Sequence, residues 1–107
     1  MTNNGVNILG NWAIYHHDGG VEKGPDYIQI NSNVAGQFLC GVTYNIQPSI
    51  TVTLSGNNIN LSWYSKEYNE NTYLSGTVSG STMSGTFVES GYSNTWRGVK
   101  VTSYSCP

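Results

Sequence analysis

Charge is scarce in this chain: Asp, Glu, Lys and Arg make up 9% of its 107 residues, against roughly 25% in an ordinary globular domain. With a net charge of −2, it has no basic patch to neutralise phosphates, so nucleic acid is not an expected partner. Cysteine is limited to two residues, Cys40 and Cys106, too few for a metal framework. Long apolar runs are missing. Trp12-Ala13-Ile14-Tyr15 and Phe38-Leu39-Cys40 fall far short of the ~20 residues a spanning helix needs, so membrane insertion is not expected. The opening MTNNGVNILG lacks a basic stretch followed by an apolar one; a signal peptide was either removed or never there. Helical periodicity appears nowhere, and with it go phosphate loops that open a helix and nucleophile elbows of the G-x-S-x-G kind. No cofactor is implied.

What the chain does have is alternation. LSGNNINLSWYS, YLSGTVSGSTMSGTFVES and NTWRGVKVTSY switch between apolar and polar residues, broken by Gly with Ser or Asn. Period-2 alternation puts one apolar face on each strand, and all these faces need a shared core. Eight strands are expected, near 8–17, 26–32, 36–44, 49–55, 58–65, 71–78, 82–89 and 94–103. Gly56-Asn57-Asn58 and Ser79-Gly80-Ser81 supply tight hairpin turns. Two longer connections, DGGVEKGPD and KEYNEN, carry most of the charge: Asp18, Glu22, Lys23, Asp26, Lys66, Glu67 and Glu70. The expected fold is all-β, a single domain over residues 1–107 and an antiparallel up-and-down barrel of about eight strands without helices. Closure removes the sheet edges, and such a barrel is filled by side chains or holds one small ligand. By parity the inward set is Ile8, Trp12, Ile14, Ile28, Ile30, Phe38, Cys40, Val42, Ile50, Val52, Leu54, Ile59, Leu61, Trp63, Leu74, Val78, Met83, Phe87, Val99 and Val101, with one bulge enough to invert a strand.

The two cysteines either remain half-buried thiols or form a disulfide tying the C-terminal end to the barrel wall. An Asn-, Ser-, Thr- and Tyr-rich surface suits an extracellular or periplasmic protein, where a disulfide persists. In the chain-entropy model such a bond contributes about 4 kcal/mol.

Gly10-Asn11-Trp12 in the first strand and Trp96-Arg97-Gly98 in the last resemble the calycin superfamily, which includes lipocalins, fatty-acid-binding proteins and avidins. The resemblance implies that Arg97 stacks on Trp12 at one barrel end, which holds if Arg97 shares an inward face with Val99 and Val101. The length and the run NTWRGVKVTSY are closer to avidins than to lipocalins. In that frame Trp63 takes the place of a pocket tryptophan and Thr72 that of a pocket hydroxyl. Ile14 and Leu74, however, stand where an avidin has a ureido-binding Asn and a Trp, so a similar barrel with a different interior is implied. Trp96 sits like the tryptophan that reaches into a neighbouring avidin subunit, implying a homo-oligomer; the alternative is a ring packed on the barrel's own outer wall.

Aromatics are the stronger functional signal, with eight Tyr and three Trp. Such rings pair apolar area with a polar handle, suiting ligands and interfaces alike. Tyr44, Trp63, Tyr68, Tyr73 and Tyr92 fall near strand ends. Their plainer role is cross-strand packing, at ~0.2–1 kcal/mol per pair. His16-His17-Asp18 joins imidazole to carboxylate, but neighbours on a strand point to opposite faces, so a strand end entering a solvated turn is the simpler reading. Glu89 is the one acid at a strand end without a loop role, and solvent exposure accounts for it. The leading expectation is a non-catalytic barrel binding a small apolar molecule or a glycan at one mouth, with Tyr44, Trp63, Thr72 and Tyr92 at the site and residues 18–26 as a lid. Its competitors are a secreted protein-binding module such as a proteinase inhibitor, marked by a solidly packed barrel, and an enzyme using His16 or Glu89, marked by a polar cavity with His16 beside a carboxylate.

Overall fold

The computed structural model describes residues 7–40 and 44–106. Its strands are β1 (Gly10–Asp18), β2 (Val21–Ile30), β3 (Ala35–Cys40), β4 (Ser49–Ser55), β5 (Asn58–Ser65), β6 (Glu70–Ser79), β7 (Thr82–Glu89) and β8 (Tyr92–Val101). They pair antiparallel in sequence order, and β8 closes on β1. The all-β meander barrel is therefore as expected, and no helix occurs among the described residues. The hairpin turns at Gly56-Asn57 and Gly80-Ser81 connect strands directly. Val42 lies outside the described residues.

The first long connection does not exist as such. β1 turns at Gly19-Gly20, and Val21 already pairs with Asp18. Residues 21–26 thus form a strand and not a lid, because the ladder absorbs VEKGPD through an irregularity: between the Ile14–Asp26 and His16–Lys23 pairs, β1 has one residue and β2 has two. Gly24 sits there at φ +124°, and a Cβ on it would stand 2.8 Å from the Ile14 carbonyl oxygen. Only glycine fits that conformation and that space. Asp26 is in line with Ile28 and Ile30 on the inner face by simple alternation, and the offset brings Lys23, opposite His16, onto that same face.

One end of the interior is solid. Ile8, Trp12, Ile30, Ile59, Val78 and Met83 are all buried there, and the Trp12 indole N–H donates to the Ile8 carbonyl at 2.9 Å. Midway, Trp96 occupies the core with 2% exposure. In the ladder it faces Gly85, and Gly85 faces Gly76. The indole lies over this pair, 3.1 Å from where a Gly76 Cβ would be, and donates to the Ser75 carbonyl at 3.2 Å. Trp96 is accordingly neither an interface residue nor an outer-wall residue: the two glycines leave an inward hollow of its size.

With Trp96 inside, the parity of β8 is the reverse of that expected. Gly98 and Lys100 continue the inner face, while Arg97, Val99 and Val101 pair with the outward Tyr15, Ala13 and Asn11. Arg97 therefore stacks on Tyr15, at 4.1 Å from the ring centroid, and forks onto Glu22 at 2.8 and 2.9 Å. The cation over Trp12 is Lys100, at 5.7 Å. Val99 and Val101 find apolar company outside because the C-terminal tail returns across that face. Tyr104 stacks against Tyr27, the ladder neighbour of the buried Ala13. The tail ends in a Cys40–Cys106 disulfide. Cys40 faces outward, since an irregularity between Tyr27 and Ile28 pairs it with the outward Tyr27.

Candidate functional site

The opposite barrel mouth is open. Strands β1, β2, β3, β5, β6 and β7 end their inner faces there in a cavity of about 50 Å³, lined by Ile14, His16, Asp26, Phe38, Tyr44, Trp63, Thr72, Leu74, Phe87 and Glu89. One water needs ~10–15 Å³ of such space, so a few waters or a ligand of few heavy atoms fits.

Apolar residues form the floor and polar ones the rim. Phe38, Tyr44 and Trp63 stand nearly perpendicular to one another, with interplanar angles of 77–89° and centroids 4.9–6.5 Å apart. Edge-to-face rings of this kind fix one another's orientation. The Trp63 indole N–H donates to the Tyr44 hydroxyl at 2.7 Å. Tyr44 reaches the cavity from the β3–β4 connection, and that connection is held by Glu67 of the β5–β6 turn. Its carboxylate accepts from Asn45 N, Asn45 Nδ2 and Ile46 N at 2.9, 2.8 and 3.3 Å. Partial desolvation raises the Glu67 pKa, but these donors outweigh it and leave it lowered. Burial pushes the Tyr44 phenol above its ordinary pKa despite its polar partners, so it stays protonated.

Two carboxyls and an imidazole share the cavity with Tyr44. Asp26 is 6% exposed. Glu89 has its carboxyl raised to about 7, chiefly by desolvation and then by the neighbouring Glu70 carboxyl, with the nearby Thr72 hydroxyl opposing. Glu70, hydrogen-bonded to Glu89 and receiving the Ser90 hydroxyl at 2.9 Å, is lowered instead. His16 is pushed below 6.5 by desolvation, against the attraction of Asp26 and Asp18, and its ring meets Phe87 edge-on at 5.6 Å. Thr72 Oγ1 is buried in the lining and makes no hydrogen bond of good geometry.

Of the residues singled out in the sequence, Tyr44, Trp63 and Thr72 meet in this cavity. Tyr92 stands beside it. Its ring packs on Phe87, and its hydroxyl accepts from Gly19 N at 3.1 Å and donates to Asp18 at 3.2 Å, fastening the β1–β2 turn to β8. Tyr68 tilts over Tyr44 at 6.0 Å. Tyr73 is on the outer wall, in an open groove with Tyr64 and Asn71. His16 and Glu89, for which bland roles sufficed in the sequence, both line the cavity. Asp26 falls in the charged DGGVEKGPD run and so carries no site role in the sequence, although its parity with Ile28 and Ile30 is the signal of an inward side chain. Among the described residues no group of three His, Cys, Asp or Glu stands close enough to hold a metal ion, and no helix is long and apolar enough to cross a membrane.

Compared with known proteins, the chain matches no family model, no curated protein and no solved structure. The closed eight-stranded antiparallel barrel is consistent with a calycin-like shape.

Proposed function

We propose that this chain is a non-catalytic ligand-binding barrel that seats one small molecule at its open mouth. The observation carrying this reading is the division of the interior: solid from Ile8 to Trp96, then a cavity of about 50 Å³ where Tyr44, Trp63 and Thr72 converge with His16, Asp26 and Glu89. A barrel acting only as a scaffold for an outer protein-binding surface gains nothing from buried carboxyls, whose desolvation costs stability. The same groups narrow the ligand. A wholly apolar molecule would strip water from Asp26 and Glu89 without replacing it, and a glycan has room for no more than the edge of one sugar. The disulfide and the sparse charge support an extracellular or periplasmic setting.

A second reading, an enzyme using His16 and Glu89, draws on one observation: a depressed imidazole and a raised carboxyl face one cavity. The lining holds no serine, cysteine or lysine, so a covalent route would run through Thr72 or a carboxylate, and the binding reading needs neither.

Trp63 is the one tryptophan in the lining, whereas Trp12 and Trp96 are fully buried in the core. Its ring also borders the outer groove of Tyr64 and Asn71, but its indole N–H is bonded to the Tyr44 hydroxyl of the cavity, so that resonance reports the site. Because small ligands gain at most ~1.5 kcal/mol per heavy atom, fragments should be screened at millimolar concentration. The binding reading expects Trp63 to shift, Trp12 to stay, and the fragments to be recovered unchanged. Conversion of a fragment would move the assignment to the enzyme, and an unmoved Trp63 across acidic, neutral and basic fragments would reject the site.

A further inference from the structure

We propose that the ligand of the mouth cavity is a small organic cation, an amine whose ammonium group lies between the Asp26 and Glu89 carboxyls and whose carbon part rests on Tyr44 and Trp63. This rests on the binding reading above and names the chemistry of that site.

The argument starts from the lining. Two acids enter the cavity from separate strands, β2 and β7, with one imidazole and no lysine or arginine among the lining residues. The nearby cations are already paired: Lys23, opposite His16 at the rim of the mouth, with Asp18 at 3.3 Å, and Arg97, on the outer face, with Glu22 at 2.8 Å. Lys100 is at the far end over Trp12. An anion entering here meets two acids and an imidazole whose charged form is disfavoured by burial. A cation meets the same two acids in surroundings partly stripped of water, where each attraction is stronger than at a surface.

The rings add a second, independent preference. Phe38, Tyr44 and Trp63 stand as mutually perpendicular walls, and a ring face attracts a cation, tryptophan most of all. The hydrogen-bonding inventory agrees. A primary ammonium has three donors and no acceptor, and the cavity offers the acidic side chains of Asp26 and Glu89 together with the buried Thr72 Oγ1, which makes no hydrogen bond of good geometry. A metal ion fits less well, since no three-ligand group exists among the described residues.

The site should also depend on pH. Glu89 is faced by Glu70 and Thr72 from β6, by Asp18 and His16 from β1, by Asp26 from β2 and by Tyr44 from the β3–β4 connection. With the Glu89 carboxyl at about 7, the acid that must be ionised to hold an ammonium is mostly protonated at pH 6 and mostly ionised at pH 8. Affinity for an amine protonated throughout should rise about tenfold across that interval.

The test uses three probes of one shape: benzylamine, benzyl alcohol and benzoate, each titrated into the full chain at pH 8 while Trp63 is followed by NMR. Benzylamine is expected to bind at least about tenfold more tightly than benzyl alcohol, with benzoate weakest. Glu89→Gln and Asp26→Asn should each weaken benzylamine about tenfold and leave benzyl alcohol unchanged, the retained alcohol binding showing that the cavity is still formed. If the alcohol binds within threefold of the amine, or if both variants keep full amine affinity, the cation is rejected and the binding site stands. If none of the three probes shifts Trp63 at millimolar concentration, the site itself is rejected.

Discussion

Trp63 and Tyr44 are joined by a 2.7 Å hydrogen bond from indole N–H to phenol oxygen, one partner coming from a strand and the other from a connecting loop. The bond fixes the loop side of the cavity to its wall. Tyr44→Phe would leave the indole N–H half-buried without an acceptor, at a cost of about 1 kcal/mol. Urea unfolding should show that loss together with a displaced Trp63 indole resonance. Tyr73→Phe, on the exposed outer wall, should change stability by less than ~0.5 kcal/mol.

Glu89 has the opposite relation to stability. Its folded pKa of about 7 lies above the ordinary 4.5, so the folded chain holds a proton that the unfolded chain releases. Its contribution to stability is therefore complete below pH 4.5, and it fades as pH rises to 7. His16 runs the other way: its lowered pKa makes the fold lose stability as pH falls below 6.5. Glu89→Gln should accordingly stabilise the chain at pH 8 by about 1 kcal/mol, after discounting the full shift for solvent screening. At pH 4 it should change nothing. A residue that weakens the fold at working pH while strengthening a binding site is the pattern expected of a functional acid.

The barrel was legible because period-2 alternation survives in nearly every strand, and the same alternation already held the site. Trp12, Ile14 and His16 share a parity; so do Asp26, Ile28 and Ile30, and Met83, Phe87 and Glu89. Extending each apolar face by one step leads to the imidazole and the two carboxyls of the mouth. Asp26 is hidden by its place in the charged DGGVEKGPD run, and His16 and Glu89 by the solvent-exposed role that a strand end allows. Cys40 and Trp96 escape parity for a different reason. A ladder irregularity rotates Cys40 outward, and the space that admits Trp96 is made by glycines on neighbouring strands, a relation that exists only once register is fixed. Val99 and Val101 misled parity because the tail covers an outer face as well.

Gly24 sets the register of the mouth. Alanine there would combine φ +124° with a Cβ 2.8 Å from the Ile14 carbonyl oxygen, a strain of about 1–3 kcal/mol. The chain's simplest relief is to shift the 21–23 end of β2 against β1, which displaces Lys23 and its ladder partner His16 at the mouth. Gly24→Ala should thus lower stability and perturb the His16 resonances at once. Glycine to alanine at Gly20, where nothing lies within 4 Å of a Cβ, should leave His16 in place.

Gly85 offers a sharper case. A Cβ on Gly85 would stand 1.8 Å from the Ser75 carbonyl oxygen and 2.5 Å from the Gly76 Cα, so the β6 and β7 backbones must part to accept it. Gly85→Ala should cost more than about 3 kcal/mol and release Trp96, whose indole N–H bonds to that same Ser75 carbonyl. A red shift in tryptophan emission from the folded variant would register the release, and an unchanged spectrum would contradict this packing.

The Cys40–Cys106 disulfide closes a loop of 66 residues, for which the chain-entropy model gives about 4 kcal/mol. Because Cys40 faces outward, the bond acts on the tail and on the unfolded chain and not on the cavity. The Cys40→Ser, Cys106→Ser double variant should therefore unfold at much lower urea, and the Tyr104–Tyr27 contact should loosen as the tail leaves β2. In the absence of urea, however, the Trp63 indole resonance and its response to benzylamine should match the parent chain. Loss of that response while the barrel remains folded would mean that the tail, and not the mouth's own strands, holds the cavity in shape.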